Sequence, residues 1–157
     1  MKQILIIFLS IFLGACTGKI EVSKPIPKDL ITGGENSGYS AISVWGAKSG
    51  ASGGFINKLS RDLSQHLADR SLLHKETGTL KVVIELTAFK VDTSAARAVF
   101  GALAGANEVS STIEVINTKT KEVVGKSNVS TSDSLGGMEG LSWLHADDIA
   151  IFLSAEE

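Results

Sequence analysis

Few side chains in this chain are of the types that chemistry selects. Among its 157 residues there is one cysteine, Cys16, and three histidines, His66, His74 and His145. A disulfide, a redox pair and a cysteine-based metal site all need a second thiol, so a lone Cys16 excludes them. The histidine spacings match no ligand motif, and no carboxylate pair stands at i, i+4 from two of them on one helix face. Each is expected to be a half-buried imidazole hydrogen-bonded to backbone. No serine sits in a Gly-x-Ser-x-Gly elbow. Asp147 and Asp148 are neighbours, which on a helix point about 100° apart and cannot face one bond. The stretch from Gly46 to Gly54 precedes a helix but lacks the lysine of a phosphate loop and the spacing of a dinucleotide fingerprint. No catalytic residue, cofactor or metal site is assigned, and the chain is not expected to be an enzyme.

Cys16 itself has a context. Lys2 gives a short positive start, Ile4 to Phe12 is apolar apart from Ser10, and Leu13-Gly14-Ala15-Cys16 follows at once. Small residues let an extended chain enter a peptidase groove, and the apolar run is too short to span a bilayer. This segment resembles the signal peptide and lipobox of bacterial lipoproteins. The resemblance implies cleavage before Cys16, a thioether from its sulfur to diacylglycerol, and acylation of its amine. Two or three acyl chains, at about 0.8 kcal/mol per buried methylene, hold far more firmly than one. Thr17 and Gly18 follow the cysteine. An aspartate directly after it would retain an enterobacterial lipoprotein at the inner membrane, so the expected location is the outer membrane, with the domain facing the periplasm.

The formal charge is −2 and no basic cluster occurs, which argues against nucleic acid. Residues 1–15 are thus expected to be a signal peptide and residues 16–38 a lipidated cysteine with a flexible tether, since Pro25, Pro27, Gly33, Gly34 and Gly38 break up a segment with little apolar periodicity. Such a coil of about 22 residues would span ~25 Å on average and ~70 Å when stretched. Residues 39–157 remain as one domain.

Within that domain Ser40 to Trp45 alternates weakly as a short strand. Phe55 to Leu73 is the clearest helix, with Phe55, Ile56, Leu59, Leu63, Leu67 and Leu73 in one stripe and Ser52 placed to cap it. Leu80 to Val91 predicts a strand with one face fully buried. Val109 to Asn117 and Glu122 to Thr131 predict a hairpin around Thr118 to Lys121, and Leu141 to Leu153 a closing helix. The predicted fold is a two-layer α/β (α+β) sandwich, a mixed four-stranded sheet covered by two helices in the order β-α-β-β-β-α, opened by a parallel βαβ crossover.

Ala95 to Ala106 interrupts the sheet with small apolar residues and a single charge, Arg97. Loops are usually polar, so this composition points to a connection packed on its own sheet, to a sticky surface that meets a partner protein or another copy, or to direct membrane contact. Arg97, Phe100, Gly101 and Gly105 are the candidate partner contacts, the glycines allowing close backbone approach. Arg97, Gly101 and Gly105, the acidic-led strand Glu108 to Val115 and the run Asn117 to Val124 together resemble the bacterial lipoproteins of the domain-of-unknown-function 4410 family, as does Ala146 to Ala150 in the closing helix. Asn117 stands for that family's usual acid and Lys121 for its turn glycine. The likeness covers most of residues 40 to 155 and implies no reaction, cofactor or ligand. The layout is also similar to lipoproteins of the curli-secretion and penicillin-binding-protein-activator kind, which dock other envelope proteins.

The expectation is a non-enzymatic outer-membrane lipoprotein whose partners are the membrane, through its anchor, and an envelope protein or another copy of itself. The alternative is a small-molecule or glycan-binding periplasmic module.

Overall fold

Strand formation begins earlier than the apolar periodicity suggests. The computed structural model describes residues 16–34, 36–91, 105–134 and 137–155. Its elements are β1 (Cys16–Lys24), α1 (Lys28–Thr32), β2 (Tyr39–Trp45), α2 (Gly53–Asp69), β3 (Leu80–Lys90), β4 (Asn107–Asn117), β5 (Val123–Asp133) and α3 (Gly137–Ser154). The strands form one mixed sheet in the order β1-β5-β4-β3-β2. Only β2 and β3 run parallel; the other neighbours are antiparallel. The α+β sandwich class holds, but the sheet has five strands rather than four, and three helices are described rather than two.

The extra strand lies where a tether was expected. Residues 16–24 pair antiparallel with β5, from Cys16 opposite Asp133 to Lys24 opposite Lys126. Behind them, α1 buries Ile31 and the preceding turn buries Ile26. A segment of this composition cannot order itself, but here it adds to an existing sheet edge whose open hydrogen-bonding groups it satisfies.

Residues of β3, β4 and β5 alternate between a buried and a wetter face, and Leu80, Val82, Ile84, Leu86, Val109, Ile113, Val115 and Val129 line the buried one. Helices α2 and α3 pack against each other and against the sheet there. Phe55, Leu59, Leu63 and Leu67 of α2 meet Leu141, Ile149, Phe152 and Leu153 of α3 in one core. Tyr39 joins it, fully buried, with its hydroxyl donating to the Leu153 carbonyl at 2.7 Å. Strict alternation along a strand would put Tyr39 on the face opposite Ile42. An irregularity between Tyr39 and Ala41 shifts the register and turns it inward.

Helix α2 begins as predicted: Ser52 caps it, its Oγ accepting from the Phe55 amide at 3.2 Å. It ends four residues before Leu73. Ser71 takes a left-handed φ of 57°, the Leu72 amide donates to the Leu67 carbonyl at 2.8 Å, and the Ser71 amide donates to Ala68 at 2.9 Å. These are the two bonds of a Schellman stop, usually marked by a glycine. At the β4–β5 turn the Asn117 carboxamide oxygen accepts from the amides of Lys119 and Thr120, and Lys121 has φ 65°. That is the left-handed position at which a glycine would be unstrained.

Candidate functional site

The most catalysis-like group in the molecule lies between α3 and the sheet. His145, on α3, points down onto the buried face, where Ser111 of β4 and Thr131 of β5 flank it. Ser111 Oγ is 2.9 Å from His145 Nε2, and Thr131 Oγ1 is 2.8 Å from Nδ1. Thr131 Oγ1 in turn donates to Asp148 Oδ2 at 2.5 Å. A hydroxyl has one proton, so with Thr131 donating to the carboxylate it must accept from Nδ1–H. Nε2 is then the acceptor for the Ser111 hydroxyl. The chain Ser111–His145–Thr131–Asp148 has the polarity of a nucleophile–base–orienter relay with a threonine inserted.

Its surroundings decide what it can do. Ser111 is 2% exposed and His145 is fully buried, so no substrate carbonyl reaches the hydroxyl in this arrangement. Burial pushes the imidazole down to about 3, which makes it a poor base near neutrality. Asp148, half-buried, is held above the ordinary carboxylate range by burial; the Thr131 hydrogen bond opposes this and neighbouring Asp147 adds to it. A Cβ on Gly18 of β1 would fall 2.4 Å from Asp148 Oδ1, so the edge strand crosses directly over this carboxylate. The relay ties α3 to β4 and β5 under a strand that needs glycine there.

A second polar cluster fills the seam between the helices. His66 of α2 stacks on Trp143 of α3, ring centroids 4.1 Å apart. Its Nδ1 is 3.5 Å from Asp147 Oδ1, which also accepts from Arg70 Nη2 at 2.9 Å. One turn away, buried Asp62 accepts from Ser142 Oγ at 2.6 Å and from Lys58 Nζ at 2.9 Å. His66 Nε2 is buried and has no hydrogen-bond partner among the described residues.

Of the three histidines only His74 has the expected backbone partner, the Ser71 carbonyl at 3.0 Å; His66 and His145 are held by side chains. Asp147 and Asp148 diverge, one to α2 and the other to β5. No group of three or more His, Cys, Asp or Glu side chains suited to a metal occurs among the described residues, and no helix among them is long and apolar enough to cross a membrane. Of the candidate partner contacts, Gly105 is exposed with φ 77° at the approach to β4; Arg97, Phe100 and Gly101 lie outside the described residues.

Two surfaces remain. The open sheet face is a field of hydroxyls and amides: Ser110 to Ser130 at 2.9 Å, Thr112 to Asn128 at 3.0 Å, Thr17 to Ser132 at 3.3 Å. A shallow depression of about 280 Å³ lies among Thr17, Glu108, Ser110, Ser130 and Ser132. The other is an apolar groove of about 420 Å³ between β1 and the end of α3, lined by Ile20, Val22, Ile26, Ile151 and Phe152 among others.

Comparison with known proteins shows the fold alone. No family model matches the chain, so the family suggested by Arg97, Gly101 and the hairpin gains no support, and no curated protein matches it either. Among solved structures the chain is similar to a PelC dodecamer from Paraburkholderia phytofirmans, at 15% identity and TM-score 0.55, with 88% of this chain and 96% of that one covered. A single-residue variant of that PelC, also a dodecamer, superposes at 14% identity and TM-score 0.57, covering 89% of this chain and 95% of that one. A candidate lipoprotein from Caulobacter crescentus matches more loosely, at 17% identity and TM-score 0.46 over 72% of this chain and 87% of that one.

Proposed function

We propose that this chain is a lipid-anchored protein of the bacterial envelope that performs no catalysis and works by assembling with copies of itself. The observation that carries the reading is the likeness of fold to PelC over 88–89% of this chain, since the PelC structures are dodecamers. Two further points support it. Leu13-Gly14-Ala15-Cys16 resembles a lipobox, and neither Thr17 nor Gly18 is the acid that would retain such a protein at an inner membrane. The Ser111–His145–Thr131–Asp148 relay is sealed beneath α3, which suits a clamp better than a reaction centre. The test is crosslinking in intact cells with a lysine-reactive reagent. The expected result is a ladder at multiples of the chain's mass for the wild type, and loss of acylation and membrane association for Cys16→Ser. A wild type that crosslinks only as monomer overturns the self-assembly reading.

The hydroxyl-lined depression on the open face favours a second reading, a glycan-binding surface, since hydroxyls and amides match those of sugars. No aromatic ring lines the depression among the described residues, so the stacking platform common in sugar sites is missing there. Titration of the soluble domain with envelope polysaccharide, read by shifts at Ser110 and Ser130, separates this reading from the first.

A further inference from the structure

We infer that the lipid anchor holds the domain directly against the bilayer, without a spacer and in one orientation, with the β4-start, β5-end end of the sheet facing the lipid. The inference rests on the reading of Cys16 as the lipidated first residue of the mature chain. It follows from one feature of the register: Cys16 is also the first residue of β1, opposite Asp133 at the end of β5. Every residue from Thr17 to Val22 continues that ladder. No free chain is left between the attachment point and the fold.

The register extends this to the whole sheet. Asp133 also stands opposite Asn107, the first residue of β4, and Glu108 stands opposite Lys90, the last residue of β3. Cys16, Asp133, Asn107 and Lys90 therefore mark one end of the sheet. The other end is marked by Lys24, Leu80, Asn117 and the turn at Lys119 to Lys121. An eleven-residue strand such as β4 is roughly 36 Å long, so the turn stands about that far from the lipid. A coil of some 22 residues would instead let either end sample the surface equally, at distances up to ~70 Å.

A bilayer is the partner this end fits because the attachment chemistry brings it there. Once the Cys16 sulfur is a thioether, the acyl chains must enter the membrane within a few bond lengths of the first β1–β5 pair.

The test uses the full lipidated chain in phosphatidylethanolamine–phosphatidylglycerol vesicles carrying a headgroup-labelled acceptor lipid. Because Cys16 is the only cysteine and its sulfur is consumed, a new cysteine is the one reactive thiol. Glu108→Cys and Lys119→Cys, both at exposed positions, place a donor dye at either end of the sheet. The expected result is several-fold stronger energy transfer from position 108 than from 119, lost when a twenty-residue Gly/Ser spacer is inserted after Cys16. Equal transfer from both positions in an acylated chain of native melting temperature overturns the inference while leaving the lipoprotein reading intact. An unacylated chain, recognised by mass and by failure to bind vesicles, removes both.

Discussion

The clusters around His145 and His66 use the same materials: an imidazole, an aspartate of α3 and a hydroxyl from a neighbouring element. Around His145 each ring nitrogen has a hydroxyl partner and the ring has no exposure. Around His66 one nitrogen is unmatched, the ring lies under a Trp143 that is 40% exposed, and Asp147 shares its carboxylate with Arg70 at the solvent edge. Position relative to the sheet explains the difference. His145 sits between helix and sheet, where desolvation makes an unpaired polar atom costly. His66 is buried too, with an unmatched Nε2, but its charged neighbours Asp147 and Arg70 lie at the solvent edge, where screening weakens ionic contacts. Of the two arrangements, only the first should be indispensable to the fold.

Removing the sealed imidazole should have the largest effect. His145→Ala empties a buried site, strands the Ser111 hydroxyl and leaves Thr131 only its bond to Asp148, costing on the order of 3–5 kcal/mol in urea unfolding. Acid should expose the same group. Its folded value is about 3 against an ordinary 6.5, so the unfolded chain binds the extra proton. Stability attributable to neutral His145 is complete above about 6.5 and falls as pH drops towards 3. Asp148 acts in the opposite sense, because its raised value means that protonation relieves a cost of burial. In an Asp148→Asn background, where that opposing group is gone, a melting temperature flat through this range would show that His145 is not held neutral. The open cluster should respond far less. Arg70→Ala breaks the ion pair with Asp147 at the solvent edge and should cost under about 1 kcal/mol, less still at high salt. A loss comparable to that of His145→Ala would erase the distinction between the two clusters.

Most of the sheet and both long helices were legible in the sequence because their signals are local. The stripe Phe55, Leu59, Leu63, Leu67 and the alternation from Leu80 to Leu86 lie within single elements, and the β4–β5 turn joins neighbours. Strand β1 was not legible, since its only partner is β5, on the far side of the domain's chain. Ile20 and Val22 supply too short an alternation to announce a strand beside Pro25 and Pro27. The stop of α2 was hidden because Ser71 occupies a position where glycine is the usual signal. The relay was hidden for the reason that β1 was: Ser111, Thr131 and His145 meet only once β4, β5 and α3 are stacked. His145 on a buried helix face was the available clue, and it pointed to burial without naming partners.

Whether copies of this chain assemble is decided by the mass of the particle they form. Native mass spectrometry of the acylated full-length chain, released from detergent micelles, counts the copies in the assembled particle. A discrete oligomer of many copies that persists on dilution is the expected result. A particle that is monomeric at every concentration, though acylated and folded, would contradict it.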